Sequence, residues 1–314
     1  MNTFGSHFRL TTFGESHGTA VGGVVDGCPA GMEVDSAFVE HEVCRRRMGD
    51  TSEASTLLTA RHDDDRVEWL SGIYEGHTLG TPIAFLTYNT DCRPEDYEAL
   101  RHLCRPGHAD YTCQQKYGLR DPRGGGRASG RETVARVVAG ALAKQFLRAR
   151  DIAIHAQVAE PWITCTITGM PEGVGEPVFD RLNARLSYAM LSIPSAMSFV
   201  VGAHPDAWRL PADLFPDAWN AHGAGANLTA TNHCGGIQGG ISNGMPVQFH
   251  VGFHLPVTHE GDMQCRDAQG ALHTVTVQGR HDSNHRYRLP VVVEAMAALT
   301  VADLVLQATS QQKP

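Results

Sequence analysis

Arg105, Arg120, Arg123, Arg127 and Arg131 gather around His108 and the run Gly124-Gly125-Gly126. Guanidinium forks match phosphate and carboxylate oxygens bidentately, and glycine lets main-chain N–H groups approach such oxygens closely. An imidazole beside them can carry a proton, because its ordinary pKa of ~6.5 is easily moved to either side of neutrality. The chemistry this combination suits is proton transfer on a small polyanion. A solvated basic loop is the plain alternative. The glycine turn, the imidazole and a helix start occur together, which favours the chemical reading.

Four other segments are dense in polar residues that a core would not choose. Phe13-Gly-Glu-Ser-His17-Gly sets a histidine between glycines just after an expected strand. Arg45-Arg46-Arg47 closes an expected helix, where cations face either a ligand or simply the negative end of the dipole. Asn232-His-Cys-Gly-Gly-Ile-Gln-Gly239-Gly240-Ile-Ser is a turn fit for close backbone contact with a flat or phosphorylated ligand. Gly279-Arg280-His281-Asp282 stands next to the last helix.

The elements that must hold these groups are partly legible. Val21 to Val25, Pro82 to Tyr88, Ala196 to Gly202 and Pro246 to Phe253 read as short buried strands. Asp35 to Arg47 reads as a helix with Asp35-Ser36 at its start. The clearest helix runs from about Ser129 to Arg148, where Ser129-Gly-Arg-Glu132 has capping-box spacing. Its apolar stripe is Val134, Val137, Val138, Ala141, Leu142 and Phe146, a core face. Gly124 to Ser129 then sits at a helix N-terminus, where orphan N–H groups favour anions. Glu176 to Leu191 and Val291 to Gln307 read as two further helices, the second apolar enough to lie between layers.

Composition bounds the partners. The chain has 314 residues, 42% of them hydrophobic, and a formal charge of −8. Overall acidity argues against a nucleic-acid or membrane-surface partner, so the positive charge is local. The eight cysteines, at 28, 44, 92, 104, 113, 165, 234 and 265, show no Cys-x-x-Cys pair. They read as reduced thiols, mostly core filler, in a cytosolic protein whose first residues lack an apolar signal region. No apolar run is expected to reach the ~20 residues of a membrane span. Neither a Gly-x-Gly-x-x-Gly nor a P-loop pattern is present. A single domain over 1–314 is the simplest organisation.

Taken together, the segments resemble the chorismate synthase family. The resemblance rests on Thr-Thr-Phe-Gly-Glu-Ser-His-Gly (11–18), Arg-Pro-Gly-His-Ala-Asp-Tyr-Thr (105–112) and Lys-Tyr-Gly-Leu-Arg-Asp-Pro-Arg-Gly-Gly-Gly-Arg (116–127). Gly-Glu-Pro-Val-Phe-Asp-Arg-Leu (175–182), the 232–242 turn and Gly-Arg-His-Asp (279–282) continue it in family order. It implies an α+β fold, a β-α-β sandwich with a helical core between antiparallel sheets, and a homotetramer. It also implies a lyase of the shikimate pathway, leading to aromatic amino acids. In that reaction 5-enolpyruvylshikimate 3-phosphate loses phosphate and a ring proton to give chorismate.

The same resemblance implies reduced FMN as cofactor, kept reduced by an external system, with NADP associated with the family. By resemblance His17 protonates the departing phosphate, His108 keeps the flavin in its working protonation state, and Asp282 assists proton removal. Arg46, Arg105, Arg131 and Arg280 are implied substrate ligands. Arg127, Ala128, Ser129, Pro194, Ser195, Gly239, Thr258, His259 and Arg280 are implied to line the flavin. No metal is implied. The pairs His62-Asp63, His108-Ala-Asp110 and His281-Asp282 lack a defined ligand set. One Gly-Gly-Arg copy in an acidic chain is poor evidence for RNA binding.

Departures from the family pattern fall on the flavin side and the substrate rim. Glu53 stands near the place of a further family arginine. Leu255-Pro-Val-Thr-His-Glu260 replaces Lys-Pro-Thr-Ser-Ser-Ile, exchanging a cation for a carboxylate. Ser283-Asn284 replaces Pro-Cys, and Arg286-Tyr-Arg288 is reshaped, so His285, Arg286 and Arg288 are candidates to compensate. A stretch present in ordinary members after Trp162 is missing. Rival readings are a paralogue acting on a related anionic cyclohexene acid and a non-catalytic flavin-binding protein.

Overall fold

The computed structural model describes residues 1–49, 63–255, 261–277 and 286–309. The chain opens with β1 (Thr3–Phe4), β2 (Arg9–Phe13) and β3 (Ala20–Asp26), followed by α1 (Ser36–Met48). Asp35 caps α1 through a bond from Phe38 N–H to its Oδ1, and all three arginines of the triplet lie in the last turn. β4 (Glu68–Trp69), the small hairpin β5 (Ile73–Tyr74) with β6 (His77–Thr78), and β7 (Ile83–Tyr88) complete the first half. These make an antiparallel sheet ordered β1-β2-β3-β7-β4.

After α2 (Asp110–Tyr117) comes α3 (Thr133–Arg148), which is buried on nearly every side. The stripe read from the sequence is therefore too narrow, because α3 is covered by the first sheet on one flank and by the last helix on the other. A Cβ added at Gly140 would run into Ala295, so the two helices touch through backbone there. β8 (Ala153–Ala159) and β9 (Trp162–Thr168) form a hairpin. Next come α4 (Leu182–Leu191), β10 (Ala196–Val201), the turn strands β11 (Ile237–Gln238) and β12 (Ile241–Ser242), and β13 (Val247–Phe253). The second sheet is ordered β10-β13-β9-β8, again antiparallel.

A separate hairpin of β14 (Gly261–Arg266) and β15 (Leu272–Val277) precedes α5 (Leu289–Thr309). The helices lie between the two sheets, and one continuous apolar core joins both. The fold is α+β, with the helical core and flanking antiparallel sheets expected from the sequence.

Three sequence expectations need correction. α4 begins at Leu182 rather than Glu176, because Pro177 and a turn with Glu176 N–H on Asp180 O precede it. Only Cys28, Cys165 and Cys265 of the eight free thiols are buried, so most are not core filler. The helical stretch Arg286–Thr309 does match a membrane span in length and composition, but 94% of its apolar window is buried inside the protein. Two carboxylates show it to be a core helix. Asp303 Oδ1 accepts the N–H groups of Ser6, His7 and Phe8, while its Oδ2 accepts from Arg185. Glu294 accepts from Arg45, Lys144 and the Ala156 N–H. Buried charges persist only when paired in this way.

Candidate active site

The turn between β2 and β3 carries His17. Asn89, just past β7, donates its amide hydrogens to the carbonyls of Glu15 (3.0 Å) and Gly18 (2.8 Å), and its N–H to Thr19 O (3.0 Å). From the other side Ser16 N–H reaches Gly126 O at 3.3 Å. Gly124 has φ +69°, and a Cβ there would stand 2.7 Å from His17 Cδ2. Gly124 is thus required both for its left-handed backbone and for the space the imidazole fills. The Tyr97 ring meets that imidazole edge to face, centroids 4.9 Å apart. Asp121 is a charged neighbour: its bond from Arg123 holds its carboxyl below the usual range against burial, and His17 adds to that pull.

Arg105 belongs to the same cluster. Its Nε and Nη2 grip Asp110 at 2.8 and 3.0 Å, and Nη2 also donates to Gly124 O at 2.9 Å. Burial alone would raise the Asp110 pKa, but the bonds and charge of Arg105, with Arg120 at 3.6 Å, outweigh it and hold the carboxyl low. His108 N–H closes a turn onto Arg105 O at 3.4 Å, which places this histidine on the arginine's own loop. Arg123 is an exposed partner of Asp121. Arg127 donates to Gly14 O and Thr12 Oγ1, and so braces the strand end leading into the His17 turn.

Arg131 and Arg46 form a second, deeper cluster. Arg131 donates to Asn89 Oδ1 at 2.8 Å, to Tyr88 O at 3.2 Å and to Asp65, with Asp63 at 3.5 Å. Arg46 donates to Thr133 Oγ1 (2.9 Å) and Gly130 O (2.8 Å), with Asp65 at 3.7 Å. Arg47 spans the carbonyls of Asp63 and Asp64. The structure therefore sets Arg105 and Arg127 against the His17 turn and its glycine run, links Arg131 to that turn through Asn89, and holds Arg46 beside Arg131 at Asp65, each with protein partners. Asp65, Asn89 and Tyr97 were not singled out by sequence reasoning, while Asp63 and Asp110 were weighed only as members of His-Asp pairs. Asp110 carried the further signal of lying inside the Arg105–Thr112 motif.

Ser129 and Glu132 do not make the expected capping box. A 3-10 turn, Gly130–Glu132, precedes α3, and Ser129 Oγ accepts from Arg131 N–H within it. Glu132 turns instead to Thr12 Oγ1 at 3.0 Å and Arg136 Nε at 2.9 Å, where ionic and buried partners outcompete one main-chain N–H.

Pro194 and Ser195 follow the C-terminal end of α4, and Ser195 holds φ +68°. Gly239 lies at the opposite end, since its neighbour Gly240 packs on Arg181 and accepts from Leu182 N–H at 2.8 Å. The ten residues of α4 between them span about 15 Å. Gly126 and Gly239 both have positive φ and open space where a Cβ would stand, so a flat ligand can approach either backbone. Open backbone of this kind leaves room for a flat ring such as a flavin. Glu53, Thr258, His259, Arg280 and Asp282 lie outside the described residues.

A cleft of about 890 Å³ elsewhere is lined by His41, Glu42, Arg45, Lys144, His155 and Glu294. Its Arg45 and Lys144 already face Glu42 and Glu294, so it offers little net charge to an anion. Among the described residues no group of three or more metal-ligating side chains occurs.

Comparison with known proteins decides the family. The chorismate synthase profile matches residues 8–162 and 161–306. The chain belongs to the chorismate synthase family. It is 41% identical to the chorismate synthase of Cytophaga hutchinsonii, over 98% of each chain, and 40% identical to that of Parabacteroides distasonis, again over 98% of each. The chorismate synthase of Roseiflexus castenholzii is 37% identical, over 98% of this chain and 97% of its own. A crystal structure of a chorismate synthase shares the fold with a TM-score of 0.71, covering 97% of this chain and 93% of the other, at 24% identity.

The two profile segments meet at residues 161 and 162, and the Cytophaga alignment runs over 355 positions against 314 residues here. The family's extra residues are therefore missing at the β8–β9 turn. In this chorismate synthase family member, Glu160 at that shortened turn pairs with Arg286, and Arg288 Nε donates to Arg46 O at 2.9 Å. Both arginines named as compensating cations thus hold protein groups, and His285 lies outside the described residues.

Proposed function

We propose that the cluster around His17 converts 5-enolpyruvylshikimate 3-phosphate to chorismate and phosphate, with no net oxidation. The observation that carries this is the seating of the His17 imidazole against Gly124 and Tyr97, beside Arg105. A proton donor there sits among cations, which is where a phosphate must be held and released. The family membership supplies the substrate, a ring acid bearing one phosphate and two carboxylates.

The chain's own residues have four tasks. His17 donates a proton to the oxygen of the departing phosphate. Arg105, fixed by Asp110 and Gly124 O, supplies positive charge beside His17. Arg46 and Arg131, fixed by Asp65, set the positions of the Gly130 turn and of the His17 turn through Asn89. Asp282, with Arg280, belongs to the segment assigned to proton removal and anion binding. Preorganised charge of this kind acts without reorganising at the moment of reaction.

Reduced FMN, when bound, would supply electron density to the allylic system and an acceptor for the ring proton. Ala128, Ser129, Pro194, Ser195, Gly239, Thr258 and His259 are the residues that would hold it, with Arg127 bracing the turn and His108 managing its protonation. The same reading takes residues 1–314 as one functional unit, with an external flavin-reducing system, a cytoplasmic location and a homotetrameric assembly. The shared core of both sheets supports the first of these.

The deciding experiment incubates pure protein anaerobically with 5-enolpyruvylshikimate 3-phosphate, FMN and dithionite, and measures chorismate and phosphate together. Equimolar release that requires flavin is expected. Flavin binding without either product would leave only a binding protein, and turnover of another cyclohexene acid alone would indicate a paralogue.

A further inference from the structure

Tyr97 lies in the 3-10 helix Pro94–Leu100 and touches two groups of the site with one ring. Its edge-to-face contact with His17 has an interplanar angle of 66°, and the guanidinium carbon of Arg105 stands 5.8 Å from the same ring centroid. The ring also packs on a small satellite core of Leu100, Met263 and Cys265, bordered by Leu103 and Val275. This is where the β14–β15 hairpin docks. Cys104 and Arg266 exchange both backbone hydrogen bonds there, at 2.8 and 3.0 Å. Packed side chains thus run without a break from that hairpin, through Tyr97, to the imidazole.

We propose that Tyr97 is a positioning residue for His17, the strut through which the β14–β15 hairpin fixes the orientation of the imidazole. A histidine ring has a broad, roughly two-fold preference about its outer bond, so its orientation needs an external wall. Gly124 supplies one wall and Tyr97 the other. Arg105 on the Tyr97 ring couples the anion-facing cation to the same support. The hairpin's two ends adjoin, in sequence, the segments that carry Thr258 and His259 and then Arg280 and Asp282. One element therefore leads in sequence to the flavin-side residues and in space to the proton donor. A displacement of about 1 Å at such a group can cost a hundredfold in rate.

The proposal rests on the reading of His17 as proton donor, and the test separates the two. Tyr97→Leu, Tyr97→Phe, Met263→Ala and His17→Asn are compared by turnover with reduced FMN. In a second measurement, wild type and the first three variants, which retain His17, are compared by the rate at which diethyl pyrocarbonate acylates His17, mapped by peptide mass spectrometry. Tyr97→Leu keeps an apolar filler in the satellite core. It is expected to lower kcat about tenfold or more while KM changes less than about threefold, and to raise His17 acylation. Tyr97→Phe restores most of the turnover and the wild-type acylation rate. Met263→Ala loosens the hairpin's hold on Tyr97 and is expected to give both effects to a smaller degree; the absence of either would remove the hairpin from the strut.

Unchanged acylation in Tyr97→Leu overturns the proposal, and so does a Tyr97→Phe loss as large as that of leucine. Should the leucine variant fail to fold, Tyr97→Met replaces it under the same criteria. If even the methionine variant unfolds, a role confined to His17 is refuted. Full turnover in His17→Asn removes the proton-donor reading, while the acylation rates still decide whether Tyr97 orients the ring.

Discussion

Arg131 donates its Nε–H to Asn89 Oδ1 at 2.8 Å, and the amide of the same Asn89 holds the carbonyls of Glu15 and Gly18. A buried arginine from the turn preceding α3 thereby sets the turn that carries His17, through one side chain just past β7. Asn89 is 9% exposed, so no solvent stands ready to replace it.

Asn89→Ala leaves two turn carbonyls and one guanidinium N–H without this partner. Each buried group so stranded costs about 1–3 kcal/mol. The expected result is a lowered thermal midpoint together with a fall in kcat of at least about tenfold, because the His17 turn is no longer held. Wild-type kcat in a variant of lowered stability would show that Asn89 supports the fold and not the site.

Asp65 joins Arg46 and Arg131, each 6% exposed or less. Removing one partner of a buried ion pair strands the remaining charge, at a cost of about 3–5 kcal/mol. Asp65→Ala is therefore expected to shift the urea midpoint strongly downward. Replacing Asp65 and Arg46 together by apolar residues should cost less than the single change. If the single variant unfolds at the wild-type urea concentration, the cluster carries no stability and its arginines are available to ligand.

The strands near 21–25, 82–88, 196–202 and 246–253 and the long helices were legible because their signals are local, while the β8–β9 and β14–β15 hairpins were not read. Ala20–Asp26 and Ile83–Tyr88 are short apolar runs, and α5 is a longer one broken by Glu294, Thr300 and Asp303. The partners that give the site its geometry were not legible. Arg131 meets Asp65 across 66 residues and Asn89 across 42. Nothing near Asp65 in the sequence distinguishes it from a solvated loop carboxylate. The capping box failed for a related reason. Ser129 and Glu132 have the right spacing, but Thr12 and Arg136 offer Glu132 better partners, one of them contributed by another strand.

Gly124→Ala tests the contact with His17 directly. The residue holds φ +69°, and the new Cβ would meet the imidazole at 2.7 Å. A left-handed backbone costs an alanine about 1–2 kcal/mol wherever it occurs. Gly118→Ala incurs that cost alone, since φ there is +73° and nothing lies within 4 Å of the added carbon. Gly124→Ala is expected to lose at least as much thermal stability as Gly118→Ala, with turnover collapsing only at position 124. Equal turnover in the two would mean that His17 tolerates displacement and is no proton donor.

Acid should loosen the site in a defined window. The Asp110 carboxyl is held below its ordinary value because Arg105 and Arg120 outweigh the burial that would raise it. Glu294 is likewise lowered, burial being overcome by Arg45 and Lys144. A carboxylate depressed in the folded state contributes its full stability above its unfolded pKa, near 3.9 for aspartate, and loses it as pH falls through the folded value. Urea midpoints should therefore hold steady from about pH 7 to 5 and drop steeply below about pH 4. Asp110→Asn should be less stable at neutral pH and show a shallower acid slope, since it no longer releases a proton on folding. It should also lower turnover at neutral pH, because Arg105 loses the carboxylate that aims it. An acid slope identical to wild type would place the pH-linked stability elsewhere, and unchanged turnover would show that Arg105 needs no such anchor.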